Sequence, residues 1–210
     1  MASITRCLAF FMASALIAAS LQASAQPMPE PPTLSTTQFR ELLPALRMGG
    51  YVFYFRHMSS RHDQEDKKPL DLENCATQRN LSEGGRRQAT LIGKAFKKLA
   101  IPVSSVFSSP FCRCKETAML AFGTAEISPD LYFAAGLAKN ERSAKGEALR
   151  MMLNTVPSGP RNTVIVAHSA NLEEAVGFWP KPEGAAYLFR PGADGLRAIG
   201  RLPPELWAAF

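Results

Sequence analysis

The sequence contains few of the residues that bind metal ions. Only three histidines and four cysteines occur among 210 residues, and their spacing matches no standard zinc pattern. Beyond the N-terminal region there is no apolar run of membrane-spanning length, no basic helix with interleaved aromatic residues and no internal repeat. These absences argue against a standard zinc site, a membrane-inserted domain, a nucleic-acid partner and a repeat protein. Fourteen glycines and sixteen prolines are also too few for a fibrous or disordered chain.

The first 25 residues have the three parts of a secretory signal peptide. Arg6 supplies a positive charge, residues 7–21 are almost all apolar or small, and an Ala-Ser-Ala sequence at 23–25 forms a cleavage signal. A transmembrane anchor is the alternative, but the run is shorter than the ~20 residues that a bilayer core requires. We therefore expect a mature chain that starts near Gln26 and is periplasmic or secreted, with no stable membrane insertion after cleavage.

The net charge is modest and positive. The whole chain carries +6, and removal of residues 1–25 takes away Arg6 and no acidic residue, so the net charge becomes +5. A positive excess suits anionic substrates such as phosphate esters, although it also serves solubility alone.

Three cysteines remain after the expected cleavage: Cys75, Cys112 and Cys114. Because disulfides persist in exported proteins, we expect Cys75 to pair with Cys112 and Cys114 to stay free. Pairing of Cys75 with Cys114, or no bridge at all, stays open as an alternative. A bridge between Cys112 and Cys114 would close a very tight ring and is the least favoured.

The hydrophobic pattern predicts one domain over residues 35–210. Residues 26–34 are rich in proline and polar side chains and indicate an extended linker. Short apolar runs predict four buried strands and a weaker fifth, at 51–55, 103–107, 163–167, 185–189 and 131–133. Helical patterns lie between these runs, and the first helix begins at a capping box formed by Ser35 and Gln38. Alternating strands and helices predict an α/β fold with a mostly parallel central sheet flanked by helices.

Polar and charged side chains follow three of the predicted strands. Arg56 and His57 follow the run at 51–55, Ser109 and Arg113 follow the run at 103–107, and His168 follows the run at 163–167. The carboxyl ends of parallel strands form the ligand crevice of an open sheet, so we expect these side chains to meet. Arginine binds phosphate oxygens with a fixed fork of donors, and a neutral imidazole can attack phosphorus. The pattern therefore predicts phosphoryl transfer without a metal ion.

Three motifs surround these side chains. They are Tyr54-Phe55-Arg56-His57, then Ser108-Ser109-Pro110-Phe111-Cys112-Arg113 with Glu116-Thr117-Ala118, then Val164-Ile165-Val166-Ala167-His168-Ser169. In this order, within the segment from Gly50 to Phe189, they resemble the motifs of the histidine phosphatase superfamily, the phosphoglycerate-mutase-like group. An Arg-His pair alone is a weak signal, whereas three motifs that each follow a predicted strand are a specific one.

The resemblance implies a phosphoglycerate-mutase-like fold and a phosphatase in which His57 is phosphorylated during turnover. It implies that Arg56, Arg113 and His168 form the rest of the catalytic phosphate pocket, with no cofactor. Further substrate-binding candidates, at the rim or in the loop of residues 61–80, are Ser169, Asn171, Gln78 and Arg79.

Two positions depart from the family's pattern. Met58 stands where a glycine usually follows the first histidine, which is tolerable if the backbone there, rather than the side chain, faces the phosphate. Phe133 lies near the place where mutase-like members carry a proton-donating glutamate, and Ser169 stands where acid-phosphatase relatives carry an aspartate. The general acid is therefore unassigned, because reach to the ester oxygen decides it. The candidates are Asp63, Asp66, Glu173 and Glu183.

The sequence thus favours phosphomonoester hydrolysis through a phosphohistidine on His57, with a small phosphorylated molecule or an envelope sugar phosphate as substrate. The missing acid motivates an alternative, a phosphate- or phospholigand-binding protein that has lost turnover. A third hypothesis is a metallohydrolase built from His57, His62, His168 and a cysteine, although the family resemblance explains the same residues without a metal. The sequence leaves the natural substrate and the oligomeric state open.

Overall fold

A computed structural model describes residues 27–210, so the signal peptide expected at residues 1–25 lies outside the described residues. The strands are β1 (Val52–Arg56), β2 (Val103–Ser108), β3 (Glu126–Ile127), β4 (Asn162–Ala167), β5 (Ala186–Arg190) and β6 (Arg197–Leu202). The helices are α1 (Thr36–Met48), α2 (Glu83–Lys98), α3 (Cys112–Phe122), α4 (Lys139–Leu153) and α5 (Ser169–Val176). In this part of the chain, none of the helices is long and apolar enough to cross a membrane.

The six strands form one sheet in the order β3-β2-β4-β1-β5-β6. The four strands from β3 to β1 pair in parallel, while β5 pairs antiparallel with both β1 and β6. The prediction of an α/β fold with a mostly parallel central sheet is confirmed. Because β1 and β4 lie in the middle of this sheet and are covered on both faces, they read as unbroken apolar runs.

The side chains of the central strands alternate between two apolar clusters, one on each face of the sheet. Phe53 and Phe55 of β1 pack with residues of α1, α2 and α3 on one face. Val52 and Tyr54 of the same strand pack with residues of α4 and α5 on the other. The sheet is thus held between two helical layers, which fixes the position of its carboxyl edge.

The prediction of a strand at 131–133 is wrong. Pro129–Leu131 forms a 3₁₀ helix, and the short edge strand β3 ends just before it. The structural reason is Pro129, whose fixed φ suits the first turn of a helix and whose ring removes a backbone donor. The sequence prediction also missed β6, which is only partly buried, and the 3₁₀ helix Pro204–Ala209 that follows it.

The linker expected at 26–34 is extended over its described residues and lies against the domain. The backbone N–H of Met28 donates to the Val176 carbonyl at 2.7 Å, and that of Leu34 donates to the Arg201 carbonyl at 2.9 Å. The Leu34 side chain is buried in the core. The capping box of α1 forms as predicted directly after this segment.

The 61–80 loop leaves the sheet after β1 and returns to α2. Its base is closed by the pairing of Ser60 with Leu81, and its last residues include a short 3₁₀ helix, Cys75–Thr77. A disulfide joins Cys75 to Cys112, the first residue of α3, and Cys114 is free and buried. The expected pairing is therefore confirmed, and the bridge ties the loop to the helix that carries Arg113.

Candidate active site

His57 and His168 lie side by side at the carboxyl edge of the sheet. β1 and β4 are parallel neighbours with Arg56 opposite Ala167, so the residues that follow them are brought together. The two imidazole rings have their centroids 5.5 Å apart and are inclined at 65°. Both side chains are buried, with only 2% and 1% of their surface exposed.

The hydrogen bonds of His57 define its tautomer. Its Nδ1 lies 3.0 Å from the carbonyl oxygen of Met58. Since a carbonyl can only accept, Nδ1 carries the hydrogen and Nε2 keeps its lone pair. The backbone is fixed as well, because the His57 N–H donates to the Ala167 carbonyl and the His57 carbonyl accepts from the Gly184 N–H. His57 therefore presents Nε2 as a nucleophilic atom.

Met58 has its backbone, rather than its side chain, beside His57. Its side chain is buried in the core, its carbonyl holds His57, and its N–H donates to the hydroxyl of Thr117 at 3.2 Å. The backbone of Met58 thus supports the first histidine and the helix behind it. The bond from Met58 to Thr117 links the first two motifs, and Thr117 in turn donates to the Arg113 carbonyl at 2.7 Å within α3.

His168 is held by side chains from several elements. Its Nε2 lies 2.8 Å from the hydroxyl of Ser109 and 3.6 Å from the Sγ of Cys114. The Tyr54 hydroxyl donates to the His168 carbonyl at 2.6 Å, and the Phe133 ring lies 4.9 Å from the imidazole, centroid to centroid. The sequence motifs include Ser109, but they gave no reason to expect contacts from Tyr54 or Cys114.

Arg113 is fully buried between aromatic rings. Its guanidinium lies 4.6 Å from the centre of the Phe111 ring and 5.7 Å from that of Phe133. Its Nη1 donates to both carboxylate oxygens of Asp66, at 3.0 and 3.2 Å. Its Nε is buried and has no hydrogen-bond partner among the described residues. Arg113 therefore retains an unused donor beside the two histidines.

Arg56 is anchored at its outer end. Its Nη1 donates to the Pro180 carbonyl at 3.1 Å and its Nη2 to Glu183 at 3.3 Å, whereas its buried Nε finds no partner within residues 27–210. Glu183 also accepts from the backbone N–H and the hydroxyl of Ser60, at 2.8 and 2.9 Å. The Arg79 guanidinium lies 3.7 Å from the same carboxylate. Glu183 therefore connects Arg56 to the 61–80 loop.

Gln78 lies between the loop and α3. Its side chain is buried, its Oε1 accepts from the Cys112 N–H at 2.9 Å, and its Nε2 donates to the Asp71 carbonyl at 2.8 Å. The polar atoms of Gln78 thus hold the loop in place. Arg79, by contrast, has a side chain that is one quarter exposed.

Asn171 and Ser169 lie in α5, directly after His168. The Asn171 amide donates to the Tyr132 carbonyl at 2.8 Å and accepts from the Ala134 N–H at 3.3 Å. It therefore holds the segment that carries Phe133 against the site. Ser169 is the first residue of the helix and is buried.

The four general-acid candidates occupy different surroundings. Asp63 is exposed and pairs with Arg61 at 2.6 Å, and Glu173 is exposed on α5. Glu183 is almost buried and accepts hydrogen bonds from Arg56 and Ser60. Asp66 is the candidate that contacts Arg113.

Burial and positive charge keep both histidines neutral. Burial is the main cause that lowers the pKa of His57 well below its usual value, followed by the charge of Arg113, while the Met58 carbonyl opposes the shift. The pKa of His168 is lowered well below its usual value by burial and then by Arg113. Arg56 and Arg79 act in the same direction on both rings. The fold and the site thus define an α/β protein with two neutral histidines among arginines at the strand ends.

Residues 60–132 match the model of the histidine phosphatase superfamily (branch 1). This range contains the 61–80 loop and Arg113 but stops short of His57 on one side and His168 on the other. A comparison with curated proteins finds no match.

Solved structures share the fold over most of the chain. An alpha-ribazole phosphatase from Shigella flexneri is 13% identical, with 73% of this chain and 96% of that chain covered and a TM-score of 0.56. A phosphoserine phosphatase from Entamoeba histolytica, in complex with 3-phosphoglyceric acid, is 13% identical over 76% and 100%, with a TM-score of 0.54. A candidate phosphohistidine phosphatase, SixA, from Agrobacterium tumefaciens is 18% identical over 74% and 99%, with a TM-score of 0.51. The resemblance to the phosphoglycerate-mutase-like histidine phosphatases is therefore confirmed.

Proposed function

We propose that the protein is a phosphomonoester hydrolase that acts through a phosphohistidine on His57 and needs no metal ion. The observation that carries this proposal is a neutral histidine with a free Nε2 beside two arginines, Arg56 and Arg113, whose buried Nε donors lack partners among the described residues. An unsatisfied buried donor costs about 1–3 kcal/mol, and more for a charged group. Phosphate oxygens would satisfy both donors with charge-assisted hydrogen bonds.

In the first step, His57 Nε2 attacks phosphorus while the bond to the ester oxygen breaks and the alcohol leaves with a proton. Charge builds up on the three equatorial oxygens, where Arg56 and Arg113 stabilise it. The ring acquires positive charge as the N–P bond forms, and the Met58 carbonyl stabilises that charge through Nδ1–H.

In the second step, water attacks the phosphohistidine, the N–P bond breaks and its electron pair returns to Nε2. Inorganic phosphate is then released. Burial and then the charge of Arg113 lower the pKa of His168, and a bound phosphate would offset the second of these causes, which favours a proton on this ring that it could donate to a phosphate oxygen.

We place this reaction outside the cytoplasm and on a small phosphomonoester. The signal-peptide pattern, the disulfide between Cys75 and Cys112 and the net positive charge support this assignment. Two of the neighbours in fold are named for small phosphorylated molecules, alpha-ribazole phosphate and phosphoserine in their respective phosphatases, which agrees with a substrate of that size.

The test compares wild-type protein with His57→Ala and His62→Ala on an activated aryl phosphate. We expect His57→Ala to lower turnover by about 10⁴-fold or more, as removal of a nucleophile does. His62 lies exposed in the 61–80 loop, so His62→Ala should keep wild-type turnover. Alkaline denaturation during turnover should trap a phosphorylated wild-type protein, because phosphohistidine is labile to acid.

Other outcomes would support the alternatives. Folded wild-type protein that binds phosphate but does not turn over even an activated ester would be a binding protein. Activity that is lost in EDTA and restored by zinc would indicate a metallohydrolase.

A further inference from the structure

We propose that Asp66 is the proton donor of this reaction, paired with Arg113 in the free enzyme and protonated when the substrate phosphate binds Arg113. This inference rests on the proposed phosphatase function. It assigns the step for which the family's usual position offers no acid, since that region carries Phe133, whose ring packs on His168 and Arg113.

The surroundings of the other candidates exclude them in turn. Asp63 is exposed and turned toward Arg61, and Glu173 is exposed on the surface of α5. Glu183 is almost buried, and its carboxylate oxygens already accept hydrogen bonds from Ser60 and Arg56. Asp66 alone among the four contacts Arg113, whose guanidinium stacks on the two aromatic rings that also pack on His168.

The contacts of Asp66 are few and can be exchanged. Its carboxylate accepts from Arg113 Nη1 at 3.0 and 3.2 Å and from the Arg79 backbone N–H at 2.9 Å. About one quarter of the side chain is exposed, so solvent reaches it. The buried thiol of Cys114 also lies close enough to interact with Asp66, and burial keeps this thiol protonated by raising its pKa to about 12. Asp66 therefore depends on Arg113 for its charge compensation.

Substrate binding would reverse that compensation. A phosphate that accepts from the free Nε of Arg113 shares the cation that compensates Asp66 and places an anion on the same guanidinium. Both changes favour the protonated carboxyl, which takes up one proton from solvent or from a monoanionic ester. The acid is then formed only when a substrate is present.

Asp66 gives up a proton in the first step of the reaction and takes one up in the second. As His57 Nε2 bonds to phosphorus and the ester P–O bond breaks, the Asp66 carboxyl gives its proton to the departing oxygen, and the alcohol leaves neutral. The Asp66 carboxylate then takes a proton from the water that attacks the phosphohistidine. This re-forms the carboxyl, and when phosphate is released Asp66 gives the proton back to solvent and is again a carboxylate paired with Arg113.

The test is the leaving-group dependence of Asp66→Asn. An amide of the same size cannot donate this proton, so kcat/KM for an alkyl phosphate should fall by about 10²–10⁴-fold. A nitrophenolate leaves without protonation, so kcat/KM for p-nitrophenyl phosphate should fall by less than about 10-fold. Loss of the base should also slow the second step, so that phosphohistidine accumulates with the nitrophenyl ester.

Asp63→Asn is the matched control, since Asp63 lies in the same loop and its partner is Arg61. It should leave both rates unchanged. The ratio of the two rates is measured on one preparation and does not depend on how much of the variant folds.

Equal losses on both esters would overturn the inference and leave Asp66 as a structural partner of Arg113. A higher kcat/KM of Asp66→Asn for both esters would also overturn the inference, because it would show that Asp66 blocks the site. Absence of turnover and of phosphohistidine in the wild type would instead refute the proposed function itself.

Discussion

His57, His168 and Arg113 are fixed by the sheet and by α3, whereas Asp66 and Arg79 lie in the 61–80 loop, which has little regular structure. The first group is buried and held by backbone hydrogen bonds between strands and by packing from both helical layers. The loop is held by its own hydrogen bonds, by Gln78 and by one disulfide. We infer that the strand-end group provides phosphoryl transfer, while the loop provides protonation and contacts with the rest of the substrate.

The largest difference that we expect between the two groups is between two arginines, one from each group. Arg113→Lys keeps the charge but loses the planar fork and the stacking on Phe111, so turnover of an aryl phosphate should fall by about 10²–10³-fold. Arg79→Lys should cost about 10-fold or less, because its guanidinium is partly exposed and 3.7 Å from Glu183. Steady-state kinetics on both variants measure the difference. Equal losses would mean that the loop belongs to the phosphate pocket as fully as the sheet does.

Removal of the disulfide should affect the loop selectively. Replacing Cys75 and Cys112 together by serine should lower the free energy of unfolding by about 2–4 kcal/mol, since the bridge spans 37 residues. Urea unfolding gives the total loss, and hydrogen exchange locates it. Amides of residues 61–80 should exchange faster while those of β1 and β4 keep their protection. Faster exchange in the central strands would contradict the division between the two groups.

A smaller effect concerns the pH dependence of stability. Burial and then Arg113 lower the pKa of both His57 and His168, while unfolded histidines titrate near 6.5. As the pH falls through that value, the unfolded state binds protons that the native state does not bind, so the free energy of unfolding decreases. The stabilising contribution of the two histidines is fully present above about pH 7. From pH 7 to pH 6 we expect a loss of about 1–2 kcal/mol.

Urea unfolding at both pH values provides the measurement. The double variant His57→Gln, His168→Gln should remove most of this dependence, and His62→Gln, in the exposed loop, should not. A pH dependence that persists unchanged in the double variant would show that the two buried rings titrate in the native protein as they do in the unfolded chain.

The strand-end half of the site could be predicted from the sequence. β1, β2 and β4 are short apolar runs, and topology alone places the residues that follow parallel strands at one edge. The capping box at Ser35 and the fold class could be predicted for the same reason, because local pattern and packing agree there.

The loop half could not be predicted to the same depth. The contact of Asp66 with Arg113 depends on the path of an irregular segment, and no periodicity encodes that path. The strand predicted near Phe133 is absent because Pro129 starts a 3₁₀ turn. Asn171 holds the segment after this turn, whereas the sequence predicted it only at the rim of the phosphate pocket. β6 was missed because its half-buried residues do not form an apolar run.

The smallest expected effect is at Cys114, and it tests whether α3 belongs with the sheet. The thiol is fully buried, lies 3.6 Å from His168 Nε2, and has a pKa raised to about 12 by burial. A protonated and inaccessible thiol is a poor nucleophile, so iodoacetamide should neither label nor inhibit the native protein at neutral pH. After denaturation without reductant, Cys114 should be alkylated while Cys75 and Cys112 stay joined. Rapid inactivation of the native protein would mean that α3 opens as readily as the 61–80 loop. The strand-end group and the loop would then differ in sequence pattern but not in rigidity.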